Sequence, residues 1–159
     1  SGSSYIDKII SQLPLINRAL FLAEQIRFNA AIAMMLESGI LIDNCLEMAV
    51  GSIKNQEFRH ALLVAKDRVK KGEPLSKSLK ASQFYSDFSI SMLEVGEESG
   101  QLGPVFSELS WRAKREFEGW IERVTTLLEP LLILFMGAIV GGVVVTMLLS
   151  IVSVNDLGI

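Results

Sequence analysis

Apolar positions along this chain recur every three or four residues in a series of short segments. One long run without a charge then follows. Residues 6–16 make a brief amphipathic piece that Pro14 stops, since proline sits badly inside a helix. Asn17 is placed to cap a helix that continues through Arg18 to Glu37 and halts at Ser38-Gly39. Its stripe is Leu22, Ile26, Ala30, Ala33 and Met34, widened by Phe21, Phe28, Ile32, Met35 and Leu36. Such a helix is buried on several sides. Ile42, Cys45, Leu46, Ala49, Val50 and Ile53 form the next stripe, which makes Cys45 a small core hydrophobe. Phe58, Ala61, Leu62, Ala65 and Val69 mark a helix over residues 57–71, with His60 off the stripe.

Gly72-Glu73-Pro74 breaks the pattern, and Ser76 can cap a short helix through Leu79 and Lys80. Phe84 opens another segment with a stripe of Phe88, Met92 and Val95, closed by Gly96-Glu97-Glu98-Ser99-Gly100. Pro104 suits the first turn of a final helix. The apolar face of that helix is Val105, Leu109, Ala113, Phe117, Trp120, Ile121, Val124 and Leu128. No stretch alternates with period two long enough for a strand. The expected fold is all-α, an antiparallel bundle of about six short helices whose last continues onward.

What it continues into is residues 131–154, LLILFMGAIVGGVVVTMLLSIVSV, where Thr146, Ser150 and Ser153 are the only polar side chains. A helix of about 24 residues rises about 36 Å, enough to cross a hydrocarbon core of about 30 Å with some tilt. The predicted layout is a linker or cloning remnant over residues 1–4 and a helical bundle over 5–126. A transmembrane helix over 127–154 and a short tail over 155–159 complete it. Pro130 is expected to bend the helix where it meets the bilayer. Gly137 and Gly141, with Gly142 beside them, form a small-residue face that admits a neighbouring helix. Glu129 sits at the lip of the span, either solvated or paired with a neighbour.

Composition adds compartment and excludes chemistry. All 15 Lys and Arg precede residue 127, while the tail carries only Asp156, so the positive-inside rule places the body in the cytoplasm and the tail outside. The nearest basic residues are Arg112, Lys114, Arg115 and Arg123, and Trp120 suits an interfacial belt. A net charge of −3 gives no strong attraction for nucleic acid. The single cysteine precludes an internal disulfide, and the N-terminus lacks a signal-peptide pattern. There is no P-loop, no metal-ligand histidine pair and no triad that the lone His60 serves, so no catalytic, cofactor or metal residue is assigned. Glu97-Glu98 between glycines reads first as a helix-end turn, with Gly100 supplying the backbone freedom, and only second as a cation site. Arg68, Lys70 and Lys71 crowd a helix C-terminus, where they complement its dipole.

The order of short motifs carries more than any one of them. Leu13-Pro14-Leu15, Arg27-Phe28, Glu37-Ser38-Gly39 with Leu41, Asn55, Val69 and Gly72 come first. Leu75-Ser76 with Leu79, Phe84, Gly96-Glu97-Glu98-Ser99-Gly100 with Leu102, and Glu129-Pro130 before the glycine-bearing span follow. Across residues 13–152 this resembles the cytoplasmic repeat of the inner-membrane platform proteins of bacterial type II secretion systems and type IV pili. The Leu-Pro-Leu lead-in and the Glu-Pro approach to a span resemble the second of that family's two copies. The span ends Leu149-Ser150-Ile151-Val152-Ser153, without the proline family members often carry, which leaves secretion, pilus and related filament machines all open.

The resemblance implies a non-enzymatic, oligomeric scaffold in the bacterial inner membrane with its C-terminus in the periplasm. It implies coupling of a cytoplasmic assembly ATPase to the extraction of pilins or pseudopilins from the bilayer, beside other inner-membrane assembly proteins. Arg68, Lys70, Lys71, Arg112, Lys114 and Arg115 are then docking points for an acidic partner surface, with Trp111 as an aromatic anchor. A solvated charged face with one stray aromatic accounts for them equally well. Two rival classes are a single-span signalling or receptor protein, which short interrupted helices disfavour, and a membrane-bound enzyme, which lacks a convergent polar site.

Overall fold

The computed structural model describes residues 14–158, and the expectations for residues 1–13 lie outside them. Six helices and no strand occur among the described residues: α1 (Pro14–Glu37), α2 (Ile42–Val50), α3 (Gln56–Lys70), α4 (Leu75–Lys80), α5 (Asp87–Ser99) and α6 (Leu102–Leu157). The fold is all-α, as the periodicity predicts. By its contacts the chain divides within α6 into two compact units, Ser1–Glu118 and Gly119–Ile159.

Glycines stop the helices where the pattern breaks. Gly39, Gly72 and Gly100 have φ of 84°, 89° and 69°, a left-handed conformation that a Cβ penalises. After α1 the chain closes with Gly39 N–H donating to Leu36 O at 3.0 Å and Ile40 N–H to Met35 O at 3.0 Å. Asn55 caps α3, its Oδ1 accepting from Phe58 N–H at 2.9 Å, and Ser86 caps α5 by accepting from Ser89 N–H at 3.2 Å. Pro104 stands in the first turn of α6.

The first unit closes over one core. Phe28, Ile32, Leu46, Phe58, Leu62, Leu75, Leu79, Leu93 and Phe106 are fully buried, as is Cys45, whose thiol pKa burial raises. Phe58 stands among three other rings, with centroids 5.2 Å from Phe21, 5.7 Å from Phe28 and 5.2 Å from Phe84.

Four expectations need correction. α1 begins at Pro14 rather than after an Asn17 cap, because proline needs no amide partner in a first turn. Met34, assigned to the α1 stripe, is 68% exposed. Ser76 lies inside α4 and its side chain does not cap it; the residue before the helix is Pro74, whose ring carries no hydrogen-bond acceptor. α5 starts after Phe84, and its buried face is Ile90, Leu93 and Gly96, whereas Phe88 and Val95 are 56% and 66% exposed. Gly96 is the reason: a Cβ there would stand 2.6 Å from Val105 Cγ2 and 3.3 Å from Gln101 O. That close approach turns the Gly96 face inward and the Val95 face out.

In the second unit, residues 125–158 are exposed without exception. The helix runs on through Pro130, which has no amide to donate to the carbonyl of Thr126. Thr146 and Ser150 donate to the carbonyls of Gly142 at 2.8 Å and Thr146 at 2.9 Å, so their hydroxyls are satisfied within the helix. A bilayer interior makes that demand of any polar group. A Cβ on Gly137 or Gly141 would meet nothing within 4 Å.

Candidate partner-docking surface

The basic residues picked from sequence fall into two groups. At the end of α3, Lys70 donates to Glu47 Oε2 at 3.0 Å and Arg68 Nε lies 3.9 Å from Glu73 Oε2. The Lys70 bond lowers the pKa of Glu47, and the Glu47 bond raises that of Lys70. Lys71 is exposed and has no ion pair among the described residues. Much of this cluster's charge is therefore answered within the chain, by exposed pairs that solvent and salt screen.

On α6, Trp111 is 50% exposed with the Arg115 guanidinium 4.6 Å from its ring centroid, a contact that i, i+4 spacing allows. Arg112 Nε donates to Glu108 Oε1 at 2.9 Å, and its guanidinium covers the Phe88 ring at 4.6 Å. Trp111, Arg112 and Arg115 line one cleft together with residues of α1 and the segment before α5. Lys114 instead borders a smaller cavity with Ala30, Ala33 and Met34. None of Arg68, Lys70 and Lys71 lines the larger cleft.

The motif residues hold the body in register. Ser38 Oγ donates to Met34 O at 2.9 Å and Ser99 Oγ to Val95 O at 2.7 Å, each tying off the end of its helix. Glu97 does more than close a turn. Its carboxylate accepts from Leu75 N–H at 2.6 Å, Ser76 N–H at 3.2 Å and Ser76 Oγ–H at 2.9 Å, capping α4 from across the bundle. Glu98 is exposed. No group of three or more His, Cys, Asp or Glu placed to hold a metal occurs among the described residues. Glu129, before Pro130, is likewise exposed.

Several polar residues escaped the sequence reading. Glu24 is buried in α1 and accepts from Lys54 N–H at 2.7 Å and Asn55 N–H at 2.9 Å, anchoring the segment that leads into α3. The signal was there: Glu24, Phe28 and Ile32 share one i, i+4 row, so a carboxylate occupies a core-facing position. Asn29 and Tyr85 are a second buried polar pair, Tyr85 O–H donating to Asn29 Oδ1 at 2.8 Å. Burial raises the Tyr85 pKa, which keeps the phenol protonated and able to donate.

Set beside known proteins, residues 28–150 match the family described as type II secretion system (T2SS), protein F. The chain is 31% identical over 157 residues to the type IV pilus assembly protein PilC of Thermus thermophilus, covering 96% of this chain and 38% of that protein. It is 30% identical over 151 residues to the type IV pilus assembly protein TapC of Aeromonas hydrophila, covering 95% and 37%. With the type II secretion system protein F of Pseudomonas aeruginosa the figures are 29% over 146 residues, 92% and 36%. The chain thus spans less than two fifths of the length of each of these relatives.

Proposed function

This chain belongs to the type II secretion system (T2SS) protein F family, and from that premise we propose that it is part of an inner-membrane platform for secretion or pilus assembly. In this reading residues 5–126 form a cytoplasmic body, residues 127–154 cross the bilayer, and the tail is periplasmic. The observation that carries the membrane assignment is the wholly exposed apolar run over residues 131–154, whose helix holds an 18-residue stretch with a mean hydropathy of 2.6 and in which the hydroxyls of Thr146 and Ser150 are satisfied within the helix. Orientation rests on the basic residues, which end at Arg123.

The platform is non-enzymatic. It engages a cytoplasmic assembly ATPase and passes the motion of that ATPase to pilins or pseudopilins being lifted from the membrane. Copies associate with one another and with other inner-membrane assembly proteins. The chain corresponds to the second of two repeats, a reading that requires a preceding copy with the same Ser-Gly to Gly-Glu-Glu-Ser-Gly order. Lys114 and Arg115, on the exposed face of α6, are docking residues open to a partner, as is Lys71, whereas Arg68 and Lys70 already have carboxylate neighbours.

Co-purification from detergent of the full-length protein with its candidate ATPase, in both nucleotide states, tests this. Lys114→Glu with Arg115→Glu is expected to reduce capture about tenfold or more with unchanged circular dichroism. Undiminished capture removes these residues from the interface. No capture by the wild type in either state removes the ATPase coupling itself.

A further inference from the structure

A cleft of about 610 Å³ opens in the body, lined by residues of α1, the segment before α5, α5 itself and α6. Three observations bear on what it takes.

Asn29 lines the cleft while only 1% exposed, and its Nδ2 has no hydrogen-bond partner among the described residues. Its Oδ1 is already engaged by Tyr85, so what remains is a donor. A buried amide N–H left without an acceptor is destabilising, and a ligand carbonyl or carboxylate relieves that cost.

Charge gives the second observation. Three arginines line the cleft, Arg18, Arg112 and Arg115, against one carboxylate, Glu116. Arg18 is held by Glu116 and Arg112 by Glu108. Arg115 has no carboxylate partner among the described residues, and stacking on Trp111 fixes its guanidinium in place. A pre-positioned guanidinium is a forked donor matched to a carboxylate.

The third is the rim. Phe88 and Trp111 are both half exposed with arginines laid over them; tryptophan and arginine dominate protein-binding hot spots, and phenylalanine is enriched at interfaces. Gln83, also lining the cleft, is the one non-glycine residue with positive φ, at 60°, among the described residues. Backbone held in that region concentrates at ligand contacts.

We propose that this cleft receives an extended segment of a partner protein that carries a carboxylate side chain. The carboxylate pairs with Arg115, and a backbone carbonyl of the segment accepts from Asn29 Nδ2. A neutral buried amide favours a neutral carbonyl, and a peptide supplies both groups at once. The inference shares Arg115 with the docking surface proposed above and deepens that reading, but it concerns what the cleft binds, whichever protein provides it.

The test selects short random peptides displayed on phage against the full chain in detergent. Selected peptides are expected to be enriched in Asp and Glu. Arg115→Glu should weaken them about tenfold or more, while Arg59→Glu, an equal change of charge at an exposed site on α3, leaves them unchanged. The double variant Asn29→Leu with Tyr85→Phe removes both members of the buried pair, orphans neither, and should also weaken binding. Peptides without acidic enrichment overturn the proposal, as does equal loss in Arg115→Glu and Arg59→Glu. Displacement of the peptides by ATP or inorganic phosphate at comparable concentration also overturns it, in favour of a small-anion site. Absence of ATPase capture by the wild-type protein in either nucleotide state, with peptide selection intact, would sink the platform coupling and leave this inference standing.

Discussion

In the first unit the core leucines and phenylalanines leave the surface, so that Leu46, Leu62, Leu79, Leu93, Phe58 and Phe106 have no exposed area. Over residues 131–154 the same residue types stay outside: Leu134 is exposed, and so are Phe135 and Ile151. Polar groups follow the same division. The body reaches across itself, with Glu24 and Glu97 accepting from amides 21 to 31 residues away, while Thr146 and Ser150 bond four residues back along their own helix. Apolar surface contiguous on this scale is rare in water, so the two regions are solutions to different solvents. Burial drives one. Hydroxyls tied back to their own helix, as at Thr146 and Ser150, permit the other.

The contrast makes its strongest claim about a single phenyl ring. Phe58→Ala should destabilise the body by about 3–5 kcal/mol, because the three rings around Phe58 cannot close the gap. Phe135→Ala, the same truncation, should leave the body's denaturation midpoint in detergent unmoved. A matching drop in both variants breaks the comparison.

Next in size is Glu97→Ala, expected to cost about 2–3 kcal/mol by leaving the amides of Leu75 and Ser76 without their charged acceptor. Its exposed neighbour sharpens the point: Glu98→Ala should change stability by under about 0.5 kcal/mol. Equal effects from the two would mean that the carboxylate across the bundle contributes nothing particular.

The smallest effect falls in the apolar region. Gly137→Leu with Gly141→Leu should leave the body's stability alone yet lower crosslinking to neighbouring helices in membranes, by a packing term on the order of 1 kcal/mol. Unchanged crosslinking dismisses the glycine face.

Local grammar was the legible part of the fold. Helix ends at Gly39, Gly72 and Gly100 and the first-turn position of Pro104 follow from backbone preferences that act within a few residues. The exposure of Trp111 was legible too, since it lies off its helix's apolar stripe, whereas its stacking with Arg115 was not. The α5 face was not. Phe88, Met92 and Val95 compete with Ile90, Leu93 and Gly96 for the interior, and hydrophobicity alone favours the wrong set. The partners of Glu24, Asn29 and Glu97 were illegible for a different reason. A carboxylate or amide reads as surface by type, and what buries it lies 21 to 56 residues away. Of those pairs only Asn29 and Tyr85 line the cleft, which was itself illegible; of its lining, Trp111, Arg112 and Arg115 alone were expected as docking residues.

The contact at Gly96 has a mechanical corollary. With space for not even a methyl group against Val105 and the Gln101 carbonyl, the elbow joining α5 to α6 has no clearance in which to slide or twist. Any shape change of the body must carry α5 and the opening turn of α6 as a single welded piece, and the play in the assembly has to come from other seams.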